Sequence, residues 1–202
     1  MRWAVDAGAR ALGFIFHPPS PRYVTPEALE PWLAEVPAEI WKVGVFVNED
    51  PNRIEQIAAQ LHLDIAQLHG NETPDRHPRN LRIWKAFRVN GKGTPPPSYP
   101  AEAILLDGPG SGQTFEWGSV RTLACGFIYS GAETFHEPSL LVPGAHLDAR
   151  LILAGGLTPE NVQAAIEQTH PWGVDTASGV ESSPGRKDHA RMKMFIKAAL
   201  GS

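Results

Sequence analysis

A chain of 202 residues, 42% hydrophobic and 20% charged, is typical of one globular domain. Its net charge of −4 argues against a protein that wraps nucleic acid, but allows one small basic pocket for a phosphorylated metabolite. The one cysteine, Cys125, excludes an internal disulfide and a cysteine-rich zinc site. The sequence shows no long apolar run and no signal-peptide core, so we expect a cytoplasmic protein with no membrane contact.

Short apolar runs recur along the chain. Continuous apolar runs of this length are typical of strands that are buried on both faces of a parallel sheet. We predict strands at seven such runs, which are 11–16, 42–47, 65–68, 83–87, 103–107, 151–154 and 173–176.

Helix-start signals follow several of these runs. Thr25-Pro26, Asp50-Pro51 and Thr158-Pro159 each pair a capping side chain with a proline at the first helical position. The sequence therefore predicts helices at 27–35, 51–61 and 160–168, and a last helix at 188–200.

Strands that alternate with helices predict an α/β fold with a parallel sheet, here a TIM (β/α)8 barrel formed by residues 1–202 as one domain. Two stretches are irregular: a Gly- and Pro-rich loop at 90–100, and a long segment between Gly108 and Arg150. We expect an atypical insertion at about 118–150. A closed barrel of this class has eight strands, and the sequence provides seven good ones.

Three polar side chains follow predicted strands, at the ends where such barrels carry their active sites. Arg22 can hold a carboxylate or phosphate in its planar fork, or it can be a solvent-exposed loop arginine. His69 can donate to a substrate or satisfy a backbone carbonyl. Asp107 can act as a general acid if burial raises its pKa, or it can cap the loop that follows it.

Two turns after the last predicted strands give the strongest local signal. Gly155-Gly156 follows the sixth run, and Ser178-Gly179 follows the seventh. Phosphate sites in these barrels form from the loops after strands seven and eight, where glycine lets the backbone approach the anion closely. The pair of turns therefore predicts a phosphate site at this end of the last two strands.

Many ordered motifs together resemble the phosphoribosylanthranilate isomerase family. They cover most of the chain outside about 118–150. They are Ser20-Pro21-Arg22-Tyr23, Gly44-Val45-Phe46-Val47-Asn48, Gln67-Leu68-His69-Gly70, Lys85-Ala86, Leu105-Leu106-Asp107, Gly110-Ser111-Gly112-Gln113-Thr114-Phe115-Glu116-Trp117, Ala154-Gly155-Gly156-Leu157-Thr158-Pro159-Glu160-Asn161-Val162, Ser178-Gly179-Val180-Glu181 and Pro184-Gly185-Arg186-Lys187-Asp188.

The resemblance implies an Amadori rearrangement in tryptophan biosynthesis, in which N-(5′-phosphoribosyl)anthranilate becomes 1-(o-carboxyphenylamino)-1-deoxyribulose 5-phosphate. It implies that Asp107 is the general acid and that Arg22 orients the anthranilate end. It places Gly156, Ser178 and Gly179 in the phosphate turns and His69 near the site. No metal or organic cofactor is implied, because the imine nitrogen serves as the electron sink.

The family's general base is a cysteine in a Lys-Ile-Cys-Gly stretch on the first strand, and these residues contain no such stretch. We expect the first strand and most of the first helix to be missing from this chain, through an upstream start, a shortened chain or a degenerate copy. Leu123-Ala124-Cys125-Gly126-Phe127 is superficially similar to the missing motif. A strand from there needs an unusual connection across the barrel, so a buried or loop thiol is the favoured interpretation of Cys125.

Two alternatives remain open. A relative of indole-glycerol-phosphate synthase would share the phosphate turns, but it needs a catalytic lysine and glutamates on early strands, and Lys85 alone does not make that set. A catalytically silent phosphate-binding barrel is favoured by the missing base, whereas Asp107 and Arg22 argue against it. The expected partner is a small phosphorylated substrate, and the expected assembly is a monomer or a weak homodimer.

Overall fold

The computed structural model describes residues 1–89, 99–108 and 150–201. Within them, seven strands form one sheet in sequential order, and every neighbouring pair is parallel. The strands are β1 (Ala11–Ile15), β2 (Trp41–Phe46), β3 (Ile65–Leu68), β4 (Arg82–Arg88), β5 (Ala103–Asp107), β6 (Arg150–Ala154) and β7 (Gly173–Val174). All seven predicted strands are confirmed, and β7 is shorter than predicted.

Parallel neighbours require crossover connections. The α-helices that the structure describes are α1 (Arg2–Asp6), α2 (Pro26–Leu33), α3 (Pro51–Leu61), α4 (Val162–Thr169) and α5 (His189–Leu200). Of these, α2, α3 and α4 lie in the crossovers from β1 to β2, β2 to β3 and β6 to β7, whereas the connection from β3 to β4 holds a 3-10 turn, Pro74–Arg76. A small antiparallel hairpin, β8 (Glu181–Ser183) with β9 (Arg186–Lys187), lies between β7 and α5. This hairpin was not predicted from the sequence, because its two strands are short and carry no apolar alternation.

The predicted caps explain where two helices begin. The Thr25 side chain accepts a hydrogen bond from the main chain of Ala28, and the Asp50 side chain accepts one from Asn52. The third predicted cap is wrong in position: α4 begins at Val162, because residues 159–161 form a turn after Thr158.

The two faces of the sheet carry different parts of the core. On β5, Ala103 and Leu105 pack with Ile152 and Ala154 of β6 in a cluster that faces the inside of the sheet. The alternate residues of the same strands pack against α4 and α5 on the outside, in the cluster that includes Ile104, Leu106, Leu151, Leu153, Val162, Ala165 and Phe195. Side chains on a strand alternate between faces, so burial on both faces accounts for the continuous apolar runs.

Aromatic contacts show that the sheet curls toward a barrel. Trp41 begins β2, and Trp172 directly precedes β7, with four strands between them. A flat sheet would hold these strands on the order of 24 Å apart. Their indole rings are instead stacked with centroids 5.9 Å apart, and Trp84 of β4 meets Trp172 edge to face at 6.1 Å. The seven strands therefore form the curled sheet of an α/β barrel, as predicted.

Several predictions concern other parts of the chain. The insertion at about 118–150, with Cys125, lies outside the described residues apart from Arg150. Most of the 90–100 loop also lies outside them. It stays a prediction that residues 1–202 form a single domain. Among the helices that the structure describes, none has the length and apolar character needed to span a membrane.

Candidate active site

Asp107 ends β5 and faces the inside of the curled sheet. It lies two residues beyond Leu105, which belongs to the inner cluster, so the two side chains share a face. The side chain is 23% exposed, and the Nε atom of Arg88 lies 4.0 Å from its Oδ2. Burial raises the pKa of Asp107; the Arg88 charge works against this effect, and the charge of Asp175 adds to it. The carboxyl group can therefore hold a proton to a higher pH than an ordinary aspartate.

The register of the sheet places a second carboxyl group at the same level. Asp107 pairs with Ala154 of β6, and Leu153 pairs with Val174 of β7. Asp175 follows Val174 and donates its main-chain N–H to Leu153, so it lies beside Ala154. The Cα atoms of the two aspartates are then two strand spacings apart, on the order of 10 Å. Ala154, which has a small side chain, lies between them.

Asp175 and Arg88 are not among the site residues predicted from the sequence. The signal was available, because Asp175 follows its strand just as Asp107 ends β5, and Arg88 lies two residues beyond the inward-facing Ala86. The chain length between strands does not reveal the register, however. The level at which a strand-end side chain lies is decided by the pairing of the strands.

His69 directly follows β3, and its main-chain N–H bonds to the carbonyl of Phe46. Its Nε2 atom is buried and has no hydrogen-bond partner within the described residues. Burial lowers the pKa of His69 to about 4, with further contributions from the Lys85 and Arg88 charges. The ring is therefore neutral at pH 7, with one nitrogen free to bond to a ligand.

A buried ion pair supports the turn that follows His69. Lys85 Nζ donates to Glu72 Oε2 at 2.8 Å and to the carbonyls of Gly70 at 2.6 Å and Leu68 at 3.2 Å. The lysine and glutamate side chains are only 3% and 5% exposed. Burial alone would raise the pKa of Glu72, but hydrogen bonds from Lys85 and from the Asn48 main chain outweigh it, and the pKa is lowered. This role of Lys85 was not predicted from the sequence.

Arg22 follows β1, and a carboxylate already occupies one edge of its guanidinium. Its Nε and Nη2 atoms donate to the two oxygens of Glu181 at 2.7 and 2.6 Å. Glu181 also accepts from Lys187 Nζ at 3.1 Å, and Lys187 donates to the carbonyl of Ala177 at 2.7 Å. From the sequence, Glu181 was predicted only as part of a phosphate turn, and its pairing with Arg22 across 159 positions is a tertiary feature.

The two predicted phosphate turns lie against each other. Thr176 Oγ1 donates to the carbonyl of Leu157 at 2.7 Å, and a Cβ on Gly179 would overlap that same carbonyl oxygen. Gly156 has a φ of 70°, a conformation that favours glycine. The main-chain N–H groups of Gly156 and Gly179 donate to no acceptor within 1–89, 99–108 and 150–201. Such free amides on adjoining turns can bind an anion.

The structure thus brings most of the predicted site residues together. A Cβ on Gly155 would overlap the backbone of Gly108, so the turn after β6 adjoins Asp107. Arg22 is joined through Glu181 and Lys187 to the turn that carries Ser178. In the part of the chain that is described, no group of three or more His, Cys, Asp and Glu side chains is placed to hold a metal ion.

Comparison with known proteins identifies the family. Residues 1–198 match the family model described as N-(5′phosphoribosyl)anthranilate (PRA) isomerase. The N-(5′-phosphoribosyl)anthranilate isomerase of Solibacter usitatus is 44% identical over 210 residues, covering 98% of this chain and 92% of the relative.

Two solved structures are also similar to the whole chain. The crystal structure of phosphoribosyl anthranilate isomerase from Thermotoga maritima has a TM-score of 0.81 and 34% identity, covering 100% of this chain and 93% of the other. A crystal structure of phosphoribosyl anthranilate isomerase in complex with reduced 1-(o-carboxyphenylamino)-1-deoxyribulose 5-phosphate has a TM-score of 0.74 and 33% identity, covering 100% and 92%. The chain belongs to the N-(5′-phosphoribosyl)anthranilate isomerase family.

Proposed function

We propose that this chain catalyses the Amadori rearrangement of N-(5′-phosphoribosyl)anthranilate to 1-(o-carboxyphenylamino)-1-deoxyribulose 5-phosphate, a step of tryptophan biosynthesis. Membership of the family supports the reaction. The observation that carries the proposal is the largely buried carboxyl group of Asp107, with a raised pKa, beside glycine turns suited to a phosphate group.

In this proposal Asp107 is the general acid. Burial raises the pKa of Asp107, and the protonated carboxyl group can donate its proton to the furanose ring oxygen and open the ring to a Schiff base. A base then removes the C2′ proton, and the resulting enolamine tautomerises to the ketone. The imine nitrogen accepts the electron pair that the C2′ proton leaves behind, so the rearrangement proceeds with protein acid and base groups alone.

The other predicted residues bind the two anionic ends of the substrate. Gly156, Ser178 and Gly179 hold the phosphate through main-chain N–H groups, and Arg22 binds the anthranilate carboxylate. His69 follows β3 at the same end of the sheet, and its ring is neutral. Its buried Nε2 can bond to the substrate without adding a charge.

A second candidate function is a phosphate-binding barrel of the same family without turnover. The observation in its favour is that the described residues supply an acid, Asp107, and anion-binding amides, whereas no side chain among them is assigned as the base. The one cysteine of the chain, Cys125, lies outside the described residues. A catalytically silent barrel would bind the product analogue and fail to convert the substrate.

Turnover and binding together test the proposal. Loss of phosphoribosylanthranilate fluorescence measures turnover, and calorimetry measures binding of the reduced product analogue. We expect Asp107→Asn to lower the rate by at least about a hundredfold and to leave affinity within a few-fold. Asp64→Asn is the matched control, because this aspartate lies at the opposite end of the sheet, bonded to the Lys42 main chain. Binding without turnover in the unchanged chain supports the silent barrel, and no binding refutes both.

We further propose a cytoplasmic location and a monomer or weak homodimer. A biosynthetic reaction on small phosphorylated metabolites supports the location. Sedimentation velocity across a hundredfold range of protein concentration tests the assembly state, and a concentration-independent dimer would contradict it.

A further inference from the structure

We propose that Glu181 is a positioning residue, which aims Arg22 at the carboxylate of the substrate and sets its distance from the phosphate turn. This inference deepens the proposed function and rests on it. Glu181 itself does not touch substrate in this proposal and acts through Arg22.

The ion pair with Glu181 leaves one edge of the Arg22 guanidinium open to a ligand. A guanidinium has two edges that can bind a carboxylate, one formed by Nε and Nη2 and the other by Nη1 and Nη2. Glu181 occupies the first edge with two short bonds of 2.7 and 2.6 Å. Nη1 donates to no acceptor among the described residues. The second edge is therefore free for a ligand carboxylate, and the plane of the guanidinium is fixed by Glu181.

Burial and charge indicate that Glu181 is a permanent partner of Arg22 and does not compete with a ligand for it. The Glu181 side chain is 4% exposed, whereas that of Arg22 is 26% exposed. Burial alone would raise the pKa of Glu181, but hydrogen bonds from Arg22 and Lys187 outweigh it, and the pKa is lowered. Two cations on one anion leave a single excess positive charge. One incoming carboxylate neutralises this charge without displacing Glu181.

The same contacts tie Arg22 to the phosphate turn. Lys187 bonds to Glu181 at 3.1 Å and to the carbonyl of Ala177, directly before Ser178, at 2.7 Å. A Cβ on Gly185 would lie 3.0 Å from the carbonyl of Pro21, so the β8–β9 hairpin also packs on the loop that carries Arg22. The carboxylate-binding and phosphate-binding ends of the site are therefore held at one spacing by residues 181–187.

Two ligands distinguish positioning from general disruption. The first is the reduced product analogue, which has a carboxylate and a phosphate, and the second is the same molecule with phenyl in place of carboxyphenyl. Calorimetry measures both affinities for the unchanged protein, Glu181→Gln, Glu181→Asp, Arg22→Ala and the double variant Arg22→Ala/Glu181→Gln.

Glu102→Gln is the matched control. Glu102 forms the same kind of bidentate pair, with Arg82 at 2.6 and 2.5 Å, at the opposite end of the strands. Urea unfolding of every variant separates lost stability from lost affinity. A Glu102→Gln variant that loses stability and retains both affinities shows that a broken arginine–carboxylate pair does not by itself weaken the site.

We expect Glu181→Gln to weaken binding of the carboxylate analogue about tenfold and binding of the phenyl analogue less than about twofold. Glu181→Asp should recover part of the loss, and the double variant should bind no more weakly than Arg22→Ala alone. The inference is overturned if Glu181→Gln weakens binding of both ligands equally, weakens neither, or binds the carboxylate analogue more tightly. If the unchanged protein binds neither ligand, the proposed function itself fails, and this result is read before any variant is compared.

Discussion

Replacing Lys85 with methionine removes the cation from the buried pair beneath His69 and keeps most of the side-chain volume. The change leaves the Glu72 carboxylate, 5% exposed, with main-chain donors from Asn48 and Gly70 and, among the described residues, no side-chain donor. It also leaves the Gly70 carbonyl without its 2.6 Å donor. An uncompensated buried charge costs roughly 3–5 kcal/mol. Since a domain of this kind is stable by about 5–15 kcal/mol, the loss is a large share of the total.

Urea unfolding at pH 7, followed by tryptophan fluorescence, measures this cost. The control is Arg2→Met, which breaks an ion pair with Glu35 whose side chains are 79% and 56% exposed, and which should cost less than about 1 kcal/mol. The double variant Lys85→Met/Glu72→Gln should be more stable than Lys85→Met, because no buried charge remains. A Lys85→Met cost no larger than that of the control would refute the reasoning.

Acidification provides a second check on the same pair. The folded pKa of Glu72 is lowered, so its contribution to stability is present above the unfolded value of 4.5 and is lost as the pH falls below it. Without Lys85 the buried carboxyl group should take up a proton at higher pH. The stability difference between the unchanged protein and Lys85→Met should therefore narrow between pH 7 and pH 4.

Three further predictions concern single residues. The unchanged protein should lose stability between pH 7 and pH 4, because the pKa of His69 is about 4 in the folded chain and 6.5 in the unfolded chain, so acid favours unfolding. His69→Gln should reduce this loss by at most about 3 kcal/mol. If urea unfolding shows the same loss of stability with pH for both proteins, the prediction is wrong. Gly179→Ala should lower the free energy of unfolding by more than about 2 kcal/mol and weaken binding of the product analogue, because its Cβ would overlap the Leu157 carbonyl. Gly13→Ala is the control in calorimetry, because its Cβ would lie 3.9 Å from the nearest atom. Thr25→Ala should cost about 1 kcal/mol in thermal unfolding, because its side chain caps the first turn of α2, and an unchanged transition would count against the cap.

Much of the fold could be predicted because its signals are local. Each strand is a short apolar run, and the caps at Thr25 and Asp50 lie within three residues of the amides they bind. The strand-end position of Asp107 follows from the same pattern, since it is the polar residue that closes the most apolar run. The start of α4 was misplaced because a capping residue followed by proline fits a turn as well as a helix.

The candidate site depends more on contacts that join distant parts of the chain. Arg22 and Glu181 are 159 positions apart, and Lys85 reaches the carboxylate of Glu72 from a neighbouring strand. No spacing or periodicity relates the members of such pairs. Their approach depends on the curl of the sheet and on the path of the β8–β9 hairpin.

The sequence by itself determined the alternation of strands and helices, the family and the residue types at the strand ends, because these depend on short-range patterns and ordered motifs. Only the tertiary structure decided how those residues are presented. Strand register places Asp175 at the level of Asp107, and burial gives Asp107 its raised pKa. A neighbouring carboxylate fixes one edge of Arg22 and leaves the other open. Burial and charge pairing are sums over the whole fold, so a local pattern does not contain them.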